Sequence, residues 1–296
     1  MQNRRDWIKS SIALGGVLVS PSNFLNTREK ELFRPRDLEQ VVKLSSNENP
    51  YGPSKKVREA INKSFNHACR YPYSYSDDLE EMLAKKHGVP NESVIVTGGS
   101  TEGLKITGLT FTSDGGEIIS AKPTFLAMMD FAKQWGASIN WVPVKSDKGY
   151  DLSEIENRIS KKTKLIFLCN PNNPTGTLIP SKELYDFCET AANKTILFSD
   201  EAYYDYIEDP NYPSMIDLIK KEKNVIVSKT FSKVYGMAGL RVGYLITKPE
   251  LAKKIRKNIV ARSNVLGIEA AKEALNDEEF YAFSLKKNKE SKQRIY

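Results

Sequence analysis

A lysine, two hydroxyls and an arginine stand close together in Ser228-Lys229-Thr230-Phe231-Ser232-Lys233-Val234-Tyr235-Gly236-Met237-Ala238-Gly239-Leu240-Arg241-Val242-Gly243-Tyr244. A lysine amine can condense with an aldehyde to a Schiff base. Hydroxyls and a guanidinium can hold a phosphate. A ligand that carries both groups would be caught covalently at one end and clamped at the other. Lys229 and Lys233 each follow a serine, so the local pattern leaves two candidates for the amine.

Other polar clusters end apolar runs. Asn170-Pro171-Asn172-Asn173-Pro174-Thr175-Gly176 follows one run and by itself is only a Pro-Gly turn. Ser199-Asp200-Glu201-Ala202-Tyr203 ends another and offers two carboxylates and a phenol. Thr97-Gly98-Gly99-Ser100-Thr101-Glu102-Gly103 joins an apolar run to a helical pattern. Exposed N–H groups and the helix dipole suit an anion there. Pro123-Thr124-Phe125 presents a ring that can stack on another ring or lie in a core. Arg70-Tyr71-Pro72, with Tyr73 and Tyr75 close by, and Asn47-Glu48-Asn49-Pro50-Tyr51-Gly52 complete the set.

The elements that must position these residues alternate. Short apolar runs at 94–96, 117–120, 164–169, 195–199, 225–228 and 241–246 predict strands. Helical patterns cover 55–67, 78–86, 101–109, 123–134 and 181–192, with Gly88 as a C-cap of the second. Buried strands alternating with helices predict an α/β fold with a mainly parallel sheet covered on both faces. Ligands of such sheets bind at the carboxyl ends of the strands, where these polar clusters fall.

With these motifs in this order, the chain resembles the fold type I aminotransferases that use pyridoxal 5'-phosphate (PLP), in particular the histidinol-phosphate aminotransferase family, from about residue 43 to 296. The resemblance implies a mostly parallel, seven-stranded type of sheet and an incomplete small C-terminal domain. It implies Lys233 as the Schiff-base lysine, since Lys233 stands eight residues before Arg241. Lys229 falls where the family often has arginine and reads as a surface cation or as support for a neighbour. By the same resemblance Asp200 sits beside the pyridine nitrogen, and Asn173 and Tyr203 reach the phenolic oxygen. Ser100, Thr101, Thr230, Ser232 and Arg241 hold the phosphate, and Phe125 stacks on the ring. Tyr71 reaches the phosphate of a neighbouring subunit, which implies a homodimer. Tyr51 belongs to an arm over the substrate. The family often has Ala-Asp where Ser100-Thr101 stands and tyrosine where Phe125 stands, so these positions depart from it. The implied reaction moves an amino group between an amino acid, or an amino-alcohol phosphate such as histidinol phosphate, and a 2-oxo acid. A decarboxylase or lyase of the same fold, or a non-catalytic PLP-fold protein, are the alternatives.

The chain of 296 residues carries a net charge of +7, with its lysines scattered in pairs such as Lys85-Lys86 and Lys253-Lys254. Such pairs sit on solvated helix faces and form no nucleic-acid stripe. Cys69, Cys169, Cys188 and the two histidines, His67 and His87, have no metal-ligand spacing. No G-x-G-x-x-G follows a strand, which excludes a dinucleotide site of that type. Arg4-Arg5-Asp6-Trp7-Ile8-Lys9 and the apolar stretch 12–19 resemble a bacterial twin-arginine export signal. That route carries folded cargo, so a cofactor can be loaded first. The expected location is periplasmic or exported, and cytoplasmic if the segment is not a working signal. The expected organisation is a leader at 1–27, an N-terminal arm at 28–60, a large PLP-binding domain at 61–250, and an inter-domain helix with the start of a truncated small domain at 251–296. The last residues, Ser-Lys-Gln-Arg-Ile-Tyr, stop inside a helical pattern. Arg256, Arg262 and Arg294 all precede the place where the family's carboxylate-binding arginine would stand.

Overall fold

The computed structural model describes residues 43–295, so the export-signal reading of 1–27 lies outside the described residues. By its contacts the chain divides into Met1–Ser46 and Asn47–Tyr296. Of the first unit only 43–46 are described, as exposed coil and turn. The second unit holds all the helices and strands described below.

Seven strands form one sheet: β1 (Val94–Thr97), β2 (Glu117–Lys122), β3 (Ser138–Pro143), β4 (Thr163–Cys169), β5 (Ile196–Asp200), β6 (Val225–Thr230) and β7 (Gly243–Thr247). Their order is β1-β7-β6-β5-β4-β2-β3. β7 runs antiparallel to both its neighbours, and the remaining pairs are parallel. The mostly parallel sheet expected from the sequence is therefore present. β3 escaped that expectation for a physical reason. It is an edge strand in which only Val142 is buried, so no continuous apolar run marks it.

Ten helices flank the sheet: α1 (Lys55–Ser64), α2 (Tyr73–His87), α3 (Ser100–Thr112), α4 (Ala127–Lys133), α5 (Leu152–Asn157), α6 (Ser181–Ala191), α7 (Ile216–Lys220), α8 (Pro249–Arg256), α9 (Val265–Asn276) and α10 (Glu278–Ile295) among the described residues. Their ends obey local chemistry. Ser54 accepts from the Val57 amide to open α1, and Asn264 accepts from the Gly267 amide to open α9. Gly88 closes α2 in the left-handed conformation, donating to the Ala84 and Lys85 carbonyls. The helix expected over 123–134 begins only at Ala127, because Thr124 is buried and tied by side-chain bonds to Tyr150 and Asn172. No helix among the described residues is long and apolar enough to cross a membrane.

Strand side chains alternate between faces, and two cores result. Val94, Val96, Ile166, Leu168, Leu197, Val225, Val227 and Tyr244 pack one face against α1, α2, α5, α6, α7 and α9. Ile95, Ile118, Leu165, Phe167, Phe198, Ile226 and Leu245 pack the other against α3, α4 and α8. This alternation decides what can reach the site. Asp200 continues the Phe198 face, while Lys229 shares the Val227 face.

Candidate active site

The parallel strands end along one edge of the sheet, and β7 begins there. Chain direction alone therefore gathers the turns after β1, β2, β4, β5 and β6 with Arg241, which lies just before β7. Residues 47–52 lie over this edge. A side chain added at Gly52 would come within 2.6 Å of the Gly236 Cα, so arm backbone lies directly on the loop that follows Lys233. Asn49 Nδ2 donates to the Val234 carbonyl at 2.9 Å and to Ser284 Oγ on α10 at 3.1 Å.

Lys233 is half-buried in that loop. Its Nζ donates to the Asn47 carbonyl at 3.1 Å and lies 5.2 Å from the centre of the Tyr203 ring. Loss of water holds this amine below the ordinary lysine value, and the Arg241 charge acts in the same direction, against the pull of Glu48 and Asp200. A lysine lowered this way is readier to act as a neutral nucleophile or base. Tyr203 Oη accepts from Asn47 Nδ2 at 3.0 Å and from Asn173 Nδ2 at 3.4 Å. Asn47 thus links Lys233 to Tyr203, and Tyr203 in turn holds Asn173.

Asp200 ends β5 and is 3% exposed. It accepts from the Ala202 amide at 3.3 Å. Desolvation pushes its carboxyl up to about 7, with Glu201 adding to the rise and the Ala202 amide and Lys233 opposing it. A buried acid so placed favours a cation brought against it. On the other face Glu201 binds Lys229, so Lys229 is not a surface residue: it is 9% exposed.

The anion end lies at the start of α3. Ser100 and Thr101 open that helix after Gly98-Gly99, where amide groups point out of the first turn. Arg241, itself at a φ of 58°, donates to the Ala238 carbonyl at 2.9 Å and the Gly98 carbonyl at 3.2 Å. This fixes the guanidinium beside the helix N-terminus. Thr230 Oγ1 accepts from the Ser232 amide at 3.1 Å, which shapes the turn after β6.

Phe125 is partly buried against the second core. Its turn is set by a network that the sequence motifs did not indicate. Thr124 Oγ1 donates to Asn172 Oδ1 at 2.8 Å, and Tyr150 Oη donates to the same oxygen at 3.1 Å and receives the Cys169 amide at 3.1 Å. The turns after β2 and β4, which carry Phe125 and Asn173, are thereby pinned together. Nothing around Tyr150 in the sequence signals this; Asn172 at least lies inside a recognised motif.

Tyr51 is half-exposed and meets Phe283 of α10 edge-on, with ring centres 5.3 Å apart. It borders a cavity of about 580 Å³ lined also by Asn47, Asn173, Tyr203, Lys287 and Lys292. Tyr71 stands apart from the Lys233 group. It is 82% exposed and lines a second cavity, of about 520 Å³, with Tyr73, Arg256 and Arg262.

Comparison with known proteins agrees with this arrangement. The family model for class I and II aminotransferases matches residues 39–296. The histidinol-phosphate aminotransferase of Caldicellulosiruptor saccharolyticus is 38% identical over 267 residues, 90% of this chain and 74% of that protein. That of Bacillus subtilis is 36% identical over 260 residues, 88% of this chain and 72% of the relative. The crystal structure of histidinol-phosphate aminotransferase from Sinorhizobium meliloti in complex with pyridoxal-5'-phosphate matches with a TM-score of 0.78 and 28% identity, covering 84% of this chain and 68% of that one.

The residues present fit this cofactor. A lowered amine, a buried carboxyl without ready access to water, and an arginine fixed beside a helix N-terminus supply what its aldehyde, ring nitrogen and phosphate need. The chain belongs to the class I and II aminotransferase family and is a PLP-dependent aminotransferase.

Proposed function

We propose that this aminotransferase moves an amino group between an amino-alcohol phosphate, with histidinol phosphate as the first candidate, or an amino acid and a 2-oxo acid. The names of its relatives support that substrate. The observation that carries the reading of the site is the convergence of Lys233, Asn173 and Tyr203 beside the buried Asp200 at the strand ends.

When bound, PLP supplies an aldehyde for the lysine amine and a ring that accepts an electron pair from the substrate. The chain does the rest. The Lys233 amine, kept low by desolvation, removes the proton at the substrate α-carbon. Asp200 would hold the proton on the ring nitrogen. Asn173 and Tyr203 would donate to the phenolic oxygen. Ser100, Thr101, Thr230, Ser232 and Arg241 would hold the phosphate, and Phe125 would pack against the ring. Tyr51 and the arm shield the substrate from water. In a homodimer, Tyr71 of one protomer reaches the phosphate site of its partner. Its exposure supports that role.

Loading the protein with PLP, reducing with borohydride and mapping the labelled peptide tests the scheme. The pyridoxyl group is expected on Lys233, and addition of histidinol phosphate is expected to yield pyridoxamine phosphate. A label on Lys229, or none on a folded sample, overturns the assignment. Gly99→Ala tests the anion end. Gly99 has a φ of 82°, and a Cβ there would run into the Arg241 guanidinium. The variant is expected to lose about tenfold or more in PLP affinity and roughly 1–2 kcal/mol of stability, read by cofactor titration and thermal unfolding.

Residues 1–27 are proposed to direct export by the twin-arginine route. Arg4 and Arg5, the lysine at 9 and the apolar stretch support this. Replacing both arginines by lysine is expected to retain the protein in the cytoplasmic fraction.

A further inference from the structure

One buried charged pair takes no part in this mechanism. Lys229 Nζ lies 2.9 Å from Glu201 Oε2, and both residues are shielded from solvent. Glu201 directly follows Asp200, but the strand alternation turns the two carboxylates to opposite sides of the sheet. Their backbone is also locked to β6, since the Glu201 amide donates to the Ser228 carbonyl at 2.9 Å. Glu201 is fully engaged: Ser214 Oγ donates to Oε2 and the Met215 amide to Oε1, each at 2.8 Å. Lys229 also lies 4.1 Å from the centre of the Tyr204 ring, and pairs across the sheet with Tyr244, whose hydroxyl is 3.0 Å from His87 Nε2. The groups that face the pair are thus Tyr204 and Tyr212 from the segment after β5, Tyr244 from β7, Cys188 from α6 and His87 from α2. On Asp200's own side stand Lys233, Cys169, Tyr150 and Tyr203.

We infer that Lys229 is a positioning residue for the transamination: by neutralising Glu201 behind β5, it leaves Asp200 to present the uncompensated negative charge to the cofactor ring. The inference rests on the proposed role of Asp200. It has a plain electrostatic basis. A carboxylate on the next buried residue opposes the ionisation of Asp200. Glu201 already contributes to the rise of the Asp200 carboxyl with Lys229 in place. Without the lysine, that repulsion would act at full strength in a site that screens charge poorly. An arginine at 229 would serve equally, while a neutral residue would not.

The test is a pH titration of the visible absorbance of the PLP-loaded full chain. Charge at Glu201 changes the midpoint, whereas a merely structural defect changes only stability. Lys229→Met should raise the midpoint by roughly half a unit to one unit, because an unpaired negative charge favours protonated cofactor. Glu201→Gln should lower it, because it leaves the lysine cation unpaired. The double variant K229M/E201Q, which buries no unpaired charge and so is expected to fold, should return close to the wild-type midpoint. Lys229→Arg should titrate like wild type and retain wild-type kcat, while Lys229→Met loses kcat about tenfold or more with little change in KM. Shifts of the same sign in the two single variants, or none, would overturn the inference. So would a double variant displaced from wild type as far as Lys229→Met. If Lys229→Met does not fold, the Glu201→Gln shift and the double variant decide the matter. A normal wild-type titration whose midpoint and kcat are untouched in these variants removes only the positioning role; a folded wild-type protein that binds no PLP removes the reading of the site itself, and this inference with it.

Discussion

Lys233→Ala is expected to abolish transamination, lowering kcat by about 10³-fold or more while PLP still binds without covalent attachment. The size follows from the two roles assigned to one amine: it captures the cofactor aldehyde and it moves the α-proton. Neither role can pass to Lys229, four residues earlier in the sequence. An even separation would normally put two strand residues on one face, but β6 ends at Thr230 and the chain then turns. Lys229 stays on the face shared with Val227, 2.9 Å from Glu201, while Lys233 turns over the strand ends toward Asn47 and Tyr203. Borohydride reduction of the variant should leave no labelled peptide, and a single-turnover assay should show no pyridoxamine phosphate on the wild-type timescale. A variant that transaminates at the wild-type rate, or that carries label on Lys229, would remove Lys233 from the mechanism. A primary amine added to the buffer should restore part of the proton transfer but none of the attachment.

The second large effect is expected at Asp200. Replacing it with asparagine keeps the shape and removes the charge, and kcat should fall by roughly 10²–10⁴-fold, because a neutral amide cannot hold a proton on the ring nitrogen. The same substitution has a signature in the cofactor-free protein. Burial lifts the Asp200 carboxyl from 3.8 to about 7 in the folded chain. A carboxyl raised on folding contributes stability that is complete below its unfolded value near 4, and that is lost as pH rises through about 7. The loss is on the order of 2–4 kcal/mol. Cofactor-free wild type should therefore lose several degrees of Tm relative to Asp200→Asn between pH 5 and pH 8. Bound PLP should shrink this difference, because a protonated ring nitrogen beside Asp200 favours the carboxylate. Parallel Tm curves for the two cofactor-free proteins would show that Asp200 titrates in the ordinary carboxylate range.

Some of this protein was already written in its local order of residues. Strand runs such as Leu165 to Cys169 are apolar because both faces are covered, so a continuous run marked them without any partner being known. The strand ends and the turns beyond them carry Asp200, Asn173, Lys233 and Arg241 as short motifs, and short motifs survive in sequence because turn chemistry is local. Contacts between residues far apart in the chain left no such mark. β3 shows no continuous apolar run because it lies at an edge and buries only Val142. Tyr150 links the turns after β2 and β4 through Thr124, Asn172 and Cys169, partners 19 to 26 positions away. Asn47 reaches Tyr203 across 156 positions and becomes the bridge between the lysine and the phenol. In the sequence Glu201 is one of two carboxylates in a polar cluster and Lys229 a surface cation or support for a neighbour, and they became a buried pair only when β5 and β6 were laid side by side in register. Charge and hydrogen-bonding capacity belong to the residue, but whether they are spent on solvent, on the cofactor or on each other is settled by burial, and burial is a property of the packed sheet.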